Sequence, residues 1–367
     1  MKSERKTDLL GMELSRLEAL FADMSLERFR ARQVFHNVYG RLRTEFSSMT
    51  DLSKPLRNDL AKRFTIKLPH ITRRTESCDG TIKYLLQLED TETVESVYIP
   101  ETHRTTLCLS TQVGCSFRCR FCLTASLGFK RNLTFGEIVG QVMSILSDHN
   151  GTLNSSSRLN VVFMGMGEPL LNYENVMEAI RVMAHPDGLA ISPKRMTLST
   201  AGVIPRLSDL GREKVRPHLA VSLSATTEAQ RNALMPHNRK YSLESLLEAC
   251  RQYPLSARER LTFEYVLLDG VNDSLDDARR LVKLLDGIRA KINLLALNEA
   301  AELPFRASPP ERVHQFQEYL ASKHVSVFVR KPRGLDILAA CGQLKREVDP
   351  AGLENFRSRI DSVAQPA

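Results

Sequence analysis

The chain has 367 residues, more than one average domain, with ordinary apolar content and no Trp. Its seven cysteines are odd in number and unevenly spread, which excludes a secreted disulfide framework; no apolar run reaches about 18 residues, and Met1 to Lys6 carry no apolar leader, so a cytoplasmic protein without a membrane span is expected. A formal charge of +8 and a pI near 9.2 point to a polyanionic partner without separating nucleic acid from an anionic surface.

Residues 25–64 read as a compact helical unit. Phe29, Val34, Phe35, Val38 and Leu42 recur at helical spacing, and Ser53-Lys54-Pro55 opens a second helix running through Leu60 and Phe64. Arg28, Arg30, Arg32, Arg41, Arg43, Lys54, Arg57, Lys62 and Arg63 outnumber the acids there, which suits phosphate contact as well as a solvated helix face. Residues 80–100 alternate apolar and polar side chains and predict two antiparallel strands.

From about residue 104 short apolar runs alternate with helical patterns. The runs are 105–110, 160–164, 196–199, 219–223, 261–267, 292–297 and 325–329; the amphipathic stretches include 134–148, 175–183, 243–251, 274–285 and 310–322. This alternation predicts an α/β fold with a parallel sheet or barrel, whose functional loops lie at the carboxyl ends of the strands. Residues 154–157 and 300–310 read as loops, and the tail from about 346 as partly disordered. The expected division is a helical accessory domain (1–70), a β extension (71–103), a catalytic domain (104–345) and a tail (346–367).

Cys115, Cys119 and Cys122 follow the first of these runs with C-x3-C-x2-C spacing. Thiolates are the ligands of iron–sulfur clusters, and three of them on a [4Fe-4S] cube leave one iron open for a small molecule. A zinc site is the alternative, although structural zinc takes four protein ligands, usually as C-x2-C pairs, and no second pair follows. Gly167-Glu168 ends the next run: glycine admits close approach of a ligand to the backbone, and a carboxylate accepts from an ammonium group. Ser199 and the Ser222-Leu223-Ser224 stretch repeat small polar groups at later strand ends, where turn chemistry is the better account of either one alone.

These motifs together resemble the radical S-adenosylmethionine (SAM) superfamily. More narrowly, the stretches 113–122, 164–172, 197–202, 263–273 and 340–344 resemble the dual-specificity adenosine methyltransferases of ribosomal RNA. The resemblance implies a partial (β/α)6 barrel with a helical RNA-binding accessory domain and a short antiparallel extension. It implies a [4Fe-4S] cluster on Cys115, Cys119 and Cys122, with SAM held by Gly167, Glu168, Ser199, Ser222, Leu223, Ser224 and Asn298. One SAM molecule would methylate Cys341; a radical made from a second would remove hydrogen from that methyl group, which then adds to the ring. Cys108 would resolve the adduct by disulfide formation, and Glu95 would take the ring proton. The implied substrates are 23S rRNA and tRNA, modified at adenine C2, with a flavodoxin or ferredoxin as electron donor and a monomer as the working form.

Adenine C2 is an electron-poor amidine carbon and does not displace a sulfonium methyl group by a polar route, so a radical route fits this chemistry. The chain departs from the family at Ser224, usually His, at Leu297 before Asn298, usually Trp, and in the less acidic stretch Arg333 to Leu338. Methylation at C8 of the same nucleotide, or a passive RNA-binding protein with a structural cluster, are the rival readings.

Overall fold

The computed structural model describes residues 6–149, 158–300 and 302–344; the loop expected at 154–157 and the tail lie outside them. The helical unit begins earlier than the sequence pattern suggested. Strand β1 (Thr7–Asp8) and helix α1 (Leu14–Asp23) precede α2 (Arg28–Phe35), a π-helical turn (His36–Gly40), α3 (Lys54–Arg63) and β2 (Phe64–Thr65), which pairs in parallel with β1. Ser53 caps α3 by accepting from Leu56 N at 3.4 Å, and Pro55 occupies its first turn, where no amide donor is missed.

Phe29 does not join the core. The buried stripe of α2 runs through Ala31, Val34 and Phe35 into Val38, and Phe29 lies off that stripe, 51% exposed beneath the Arg30 guanidinium at 4.5 Å. The basic surface is also smaller than the residue count implied. Arg28, Arg32, Arg41 and Arg63 form ion pairs with Glu18, Asp187, Asp51 and Asp59.

Three antiparallel strands follow, β3 (His70–Glu76), β4 (Ile82–Gln87) and β5 (Thr93–Glu101). The sequence shows β4 and β5 through their alternation; β3 is almost wholly exposed and carries Arg73 and Arg74 mid-strand, so it has no apolar signal. The α/β part then runs β6 (Arg104–Cys108), a hairpin of β7 (Gln112–Gly114) and β8 (Phe129–Asn132), α4 (Phe135–Asp148), β9 (Arg158–Phe163), α5 (Tyr173–Ala184), β10 (Met196–Thr200), α6 (Ile204–Arg212) and β11 (His218–Ser222). It continues with α7 (Glu228–Leu234), α8 (Leu243–Gln252), β12 (Leu261–Leu267), α9 (Leu275–Leu284), β13 (Ala290–Ala296), α10 (Pro310–Ser322) and β14 (Val327–Arg330).

Among the described residues ten strands form one sheet, in the order β14-β13-β12-β11-β10-β9-β6-β5-β4-β3. Every neighbouring pair from β6 to β14 is parallel, and β6 to β3 are antiparallel. The strand–helix alternation is therefore realised with seven parallel strands, the seventh being the short edge strand β14, whose Phe328 and Val329 stay exposed. Helices α6 and α7 have weak sequence signals, since α6 contains Pro205 and Gly211 and α7 is only seven residues long. The sheet is backed by α4, whose Ile138, Val139, Val142, Met143 and Ile145 are fully buried and whose start is fixed by a Thr134–Glu137 capping box. The loops after β6, β9, β10, β11 and β13 meet at the carboxyl end of the parallel strands.

Candidate active site

The cysteine loop starts at a residue that only glycine can occupy. Gly114 has φ +77°, and a Cβ there would lie 1.8 Å from the Gly128 carbonyl, so its absence lets β7 close on β8. The same carbonyl accepts from Cys115 N at 2.9 Å, and Cys119 O accepts from Cys122 N at 3.2 Å, which folds the loop over the strand ends. Burial pushes the Cys115 thiol up to about 12 and raises Cys119 and Cys122 as well, with the neighbouring thiols adding to the shift at Cys115 and Cys119. Thiolates in such a place need a cationic partner. Among the described residues no three His, Cys, Asp or Glu side chains converge as a single ion requires. A cube takes three thiolates through three different irons, and Cys115, Cys119 and Cys122 would supply them.

Glu168 is buried behind this loop. Its Oε1 accepts from Leu170 N at 3.0 Å and its Oε2 from Ala201 N at 2.9 Å, yet burial still lifts the carboxyl to about 7. An ammonium group would hold it ionised. Gly167 has φ +100° and would meet Gln112 Cβ at 2.6 Å with any side chain, while Gln112 Oε1 accepts from Glu168 N at 2.9 Å.

Cys115, Cys119 and Cys122 share one cavity with Gly167, Glu168, Ser199, Ser222, Ser224, Asn298 and Cys341. Ser224, at φ 49°, accepts from Val266 N at 3.3 Å and so ties the end of β11 to β12. Asn298 donates through Nδ2 to the Cys341 carbonyl at 2.9 Å, and its buried Oδ1 has no donor among the described residues, which leaves an acceptor for a bound ligand. Leu223 departs from the expectation: its side chain is fully buried in the core and does not line the cavity.

The segment carrying Cys341 lies across this site. Its Gly342 carbonyl accepts from Leu123 N at 2.7 Å and its Leu344 carbonyl from Thr124 Oγ1 at 2.7 Å, both beside the cysteine loop. Cys341 lines the cavity while remaining exposed; the atoms packed round its sulfur raise its thiol above the ordinary value, and Cys341 in turn contributes to a raised Cys108, buried at the end of β6. Cys108 and Glu95 do not line the cavity itself. Cys108 pairs in register with Val97 on β5, and Glu95, two residues along, shares that face of the sheet; its Oε1 is 3.3 Å from Lys83 Nζ.

Four further residues belong to the site. Arg231, 1% exposed, donates to Asn238 Oδ1 at 2.9 Å and to the carbonyls of Ser222 at 3.0 Å, Ala201 at 2.7 Å and Leu223; burial lowers it only to about 10, so it stays charged. His237 stacks on Phe117 of the cysteine loop at 4.1 Å, bonds to the Ala201 carbonyl at 2.9 Å, and is lowered by burial to about 4. Glu264 lines the cavity on β12, where Asn293 Nδ2 donates to it at 2.8 Å and burial raises its carboxyl. The fourth, Lys83, does not line the cavity and meets the site only through Glu95 and the Leu338 carbonyl. Glu264, a charge within an apolar run, and Lys83, a charge in an alternating strand, carried a signal in the sequence; Arg231 and His237 carried none.

Three cluster-spaced thiols, a buried carboxylate behind them and an open ligand acceptor, all at the carboxyl ends of a parallel sheet, define a radical SAM enzyme. The Radical SAM superfamily model matches residues 109–284, and the Ribosomal RNA large subunit methyltransferase N-terminal domain model matches residues 7–66. The chain belongs to the RlmN family of dual-specificity RNA methyltransferases. It is 50% identical to the dual-specificity RNA methyltransferase RlmN of Syntrophotalea carbinolica over 98% of this chain and 95% of that protein. It is 49% identical to the RlmN of Geobacter sulfurreducens over 93% of each. The crystal structure of a radical SAM methyltransferase from Sphaerobacter thermophilus superposes with a TM-score of 0.86 at 40% identity, covering 92% of this chain and 99% of that one. No helix among the described residues is long and apolar enough to cross a membrane.

Proposed function

We propose that the chain methylates C2 of a specific adenine in 23S rRNA and in tRNA, working as a cytoplasmic monomer with an electron donor of the flavodoxin or ferredoxin class. The observation that carries this reading is the meeting of Cys115, Cys119, Cys122, Glu168, Asn298 and Cys341 in one cavity, with Cys108 close enough to Cys341 to be raised by it. A [4Fe-4S] cluster and SAM, when bound, supply the electron, the methyl group and the hydrogen-abstracting radical.

The chain's own residues do the rest. The three loop thiolates hold the cluster. Glu168 takes the ammonium group of the amino-acid end of SAM, while Gly167, Ser199, Ser222, Ser224 and Asn298 line the remainder of its site. Cys341 sulfur carries the methylene carbon to the ring, and Glu95 removes the ring proton as the adduct gives up its unpaired electron, for which the bound cluster would supply the acceptor, so that the ring is aromatic again. Cys108 sulfur then attacks Cys341 sulfur: an S–S bond forms, the S–C bond breaks, and its electron pair returns to the carbon, which a proton completes to methyl. The helical unit at 1–70 contacts RNA, the strands at 71–103 carry Glu95, and 104–345 generate the radical.

Anaerobically reconstituted protein, incubated with SAM, reductant and fragments of ribosomal or transfer RNA, gives 2-methyladenosine by mass spectrometry of the digested nucleosides. Unmodified RNA from fully loaded protein overturns the reading. 8-Methyladenosine replaces it with the C8 reaction.

A further inference from the structure

Lys83 stands on β4 opposite Val97, and Glu95 on β5 opposite Leu85, so the two are diagonal neighbours on one face of the sheet. Their charges face each other at 3.3 Å, with side-chain exposures of 15% and 5%. The same ammonium donates to the Leu338 carbonyl at 3.3 Å, three residues before Cys341. A half-buried lysine that divides its donors between a carboxylate and one carbonyl of a distant segment links the two in space.

The rest of that segment is fastened to the adjoining turn. Asp336 accepts from Ser77 Oγ at 2.5 Å and from Cys78 N at 3.1 Å; Asp79 accepts from Gly334 N at 3.1 Å; Arg333 donates to the Pro100 carbonyl at 2.7 Å. These contacts hold residues 333–336 against the turn between β3 and β4 and the end of β5. Lys83 reaches past them, to Leu338, whose φ of 52° is costly for a leucine and persists only if neighbours hold it, while Asn298, Leu123 and Thr124 bond to the segment from Cys341 onward.

We propose that Lys83 is a positioning residue that clamps the Cys341 segment in register with Glu95. The clamp sets the separation between the thiol that carries carbon to the ring and the carboxylate that takes the ring proton, and so rests on the function proposed above. Because the lysine bonds to the segment's backbone and not to Cys341 itself, its loss leaves the thiol's own chemistry intact and disturbs where the thiol is presented.

The test uses the full chain with Lys83→Met and Lys83→Arg, each reconstituted with its cluster. In Lys83→Met the hydrogen-bonded amides of Leu338 and Ala339 exchange at least about tenfold faster, because the turn they close has lost its outer tie. The rate of RNA methylation falls at least about tenfold, the KM for RNA stays within about twofold, and S-methylation of Cys341 before RNA is added is unchanged. Lys83→Arg, which spans both acceptors with separate N–H groups, restores protection of the amides and most of the rate. Wild-type exchange and wild-type turnover in Lys83→Met overturn the proposal. So does a rate loss in both variants with unaltered exchange, which would make Lys83 a group acting on the substrate directly. If the wild-type protein makes no methyladenosine, the functional reading fails, and the exchange measurement still decides whether the clamp exists.

Discussion

Replacing Glu168 with Gln tests the electrostatics of the cavity through stability alone. Burial moves this carboxyl from its ordinary 4.5 to about 7, despite two backbone N–H bonds that favour the ion. A displacement of that size corresponds to about 3 kcal/mol. Below about pH 4.5 both folded and unfolded chains hold the proton. Between about 4.5 and 7 the folded chain holds it and the unfolded chain does not, so stability falls as pH rises, and the loss is complete above the folded value. The assay is urea unfolding of cluster-free wild type and Glu168→Gln in steps from about pH 4.5 to about pH 8, with the difference taken at each step so that all other titrations cancel. Gln carries a constant penalty of about 1–3 kcal/mol, since its amide cannot accept both N–H groups. Relative to the variant, wild type should lose about 3 kcal/mol across the window. A difference that stays flat with pH refutes the argument, because it would mean that the carboxylate is not desolvated and has no need of a cationic ligand.

Cys108→Ala should accumulate a covalent protein–RNA adduct through Cys341, seen as a nuclease-sensitive mass shift on a denaturing gel; free methylated RNA from this variant would contradict the resolving role. Arg231→Leu removes donors from four buried acceptors, and should cost about 3–5 kcal/mol in urea unfolding even after the relief of burying a guanidinium; a loss below about 1 kcal/mol would show that the three carbonyls find other partners. Gly114→Ala puts a methyl group into the Gly128 carbonyl at a φ of +77°, so the hairpin must open, and reconstituted iron per chain should drop by more than about half without global unfolding; wild-type iron content would show that the hairpin is not needed to shape the loop.

Much of the site was legible because its chemistry is written in short local runs. C-x3-C-x2-C, Gly167-Glu168 and the alternating strand ends keep their meaning whatever lies around them, and the structure gathers all of these except the Leu223 side chain into one cavity. The residues missed are those whose role depends on a distant partner. Arg231 is an arginine in a seven-residue helix until it is seen donating to carbonyls at the ends of two strands. The exposed Phe29 and the unread strand β3 failed for a related reason: burial follows packing, and neither a single aromatic in a charged helix nor a strand rich in arginine declares its surroundings. Ion pairing within the helical unit was equally invisible, so the basic count overstated its free charge.

The ten-stranded sheet is chemically two sheets spliced at one seam. The three loop cysteines and the residues lining their cavity lie on or after the parallel strands, while Glu95 and Lys83 lie on the antiparallel ones, and the splice is the pairing of β5 with β6, where Val97 meets Cys108. Under the proposed function, radical generation and proton handling fall to separate pieces of scaffold. Under that reading, a substitution on the antiparallel piece reaches ring deprotonation without touching the loop that carries Cys115, Cys119 and Cys122.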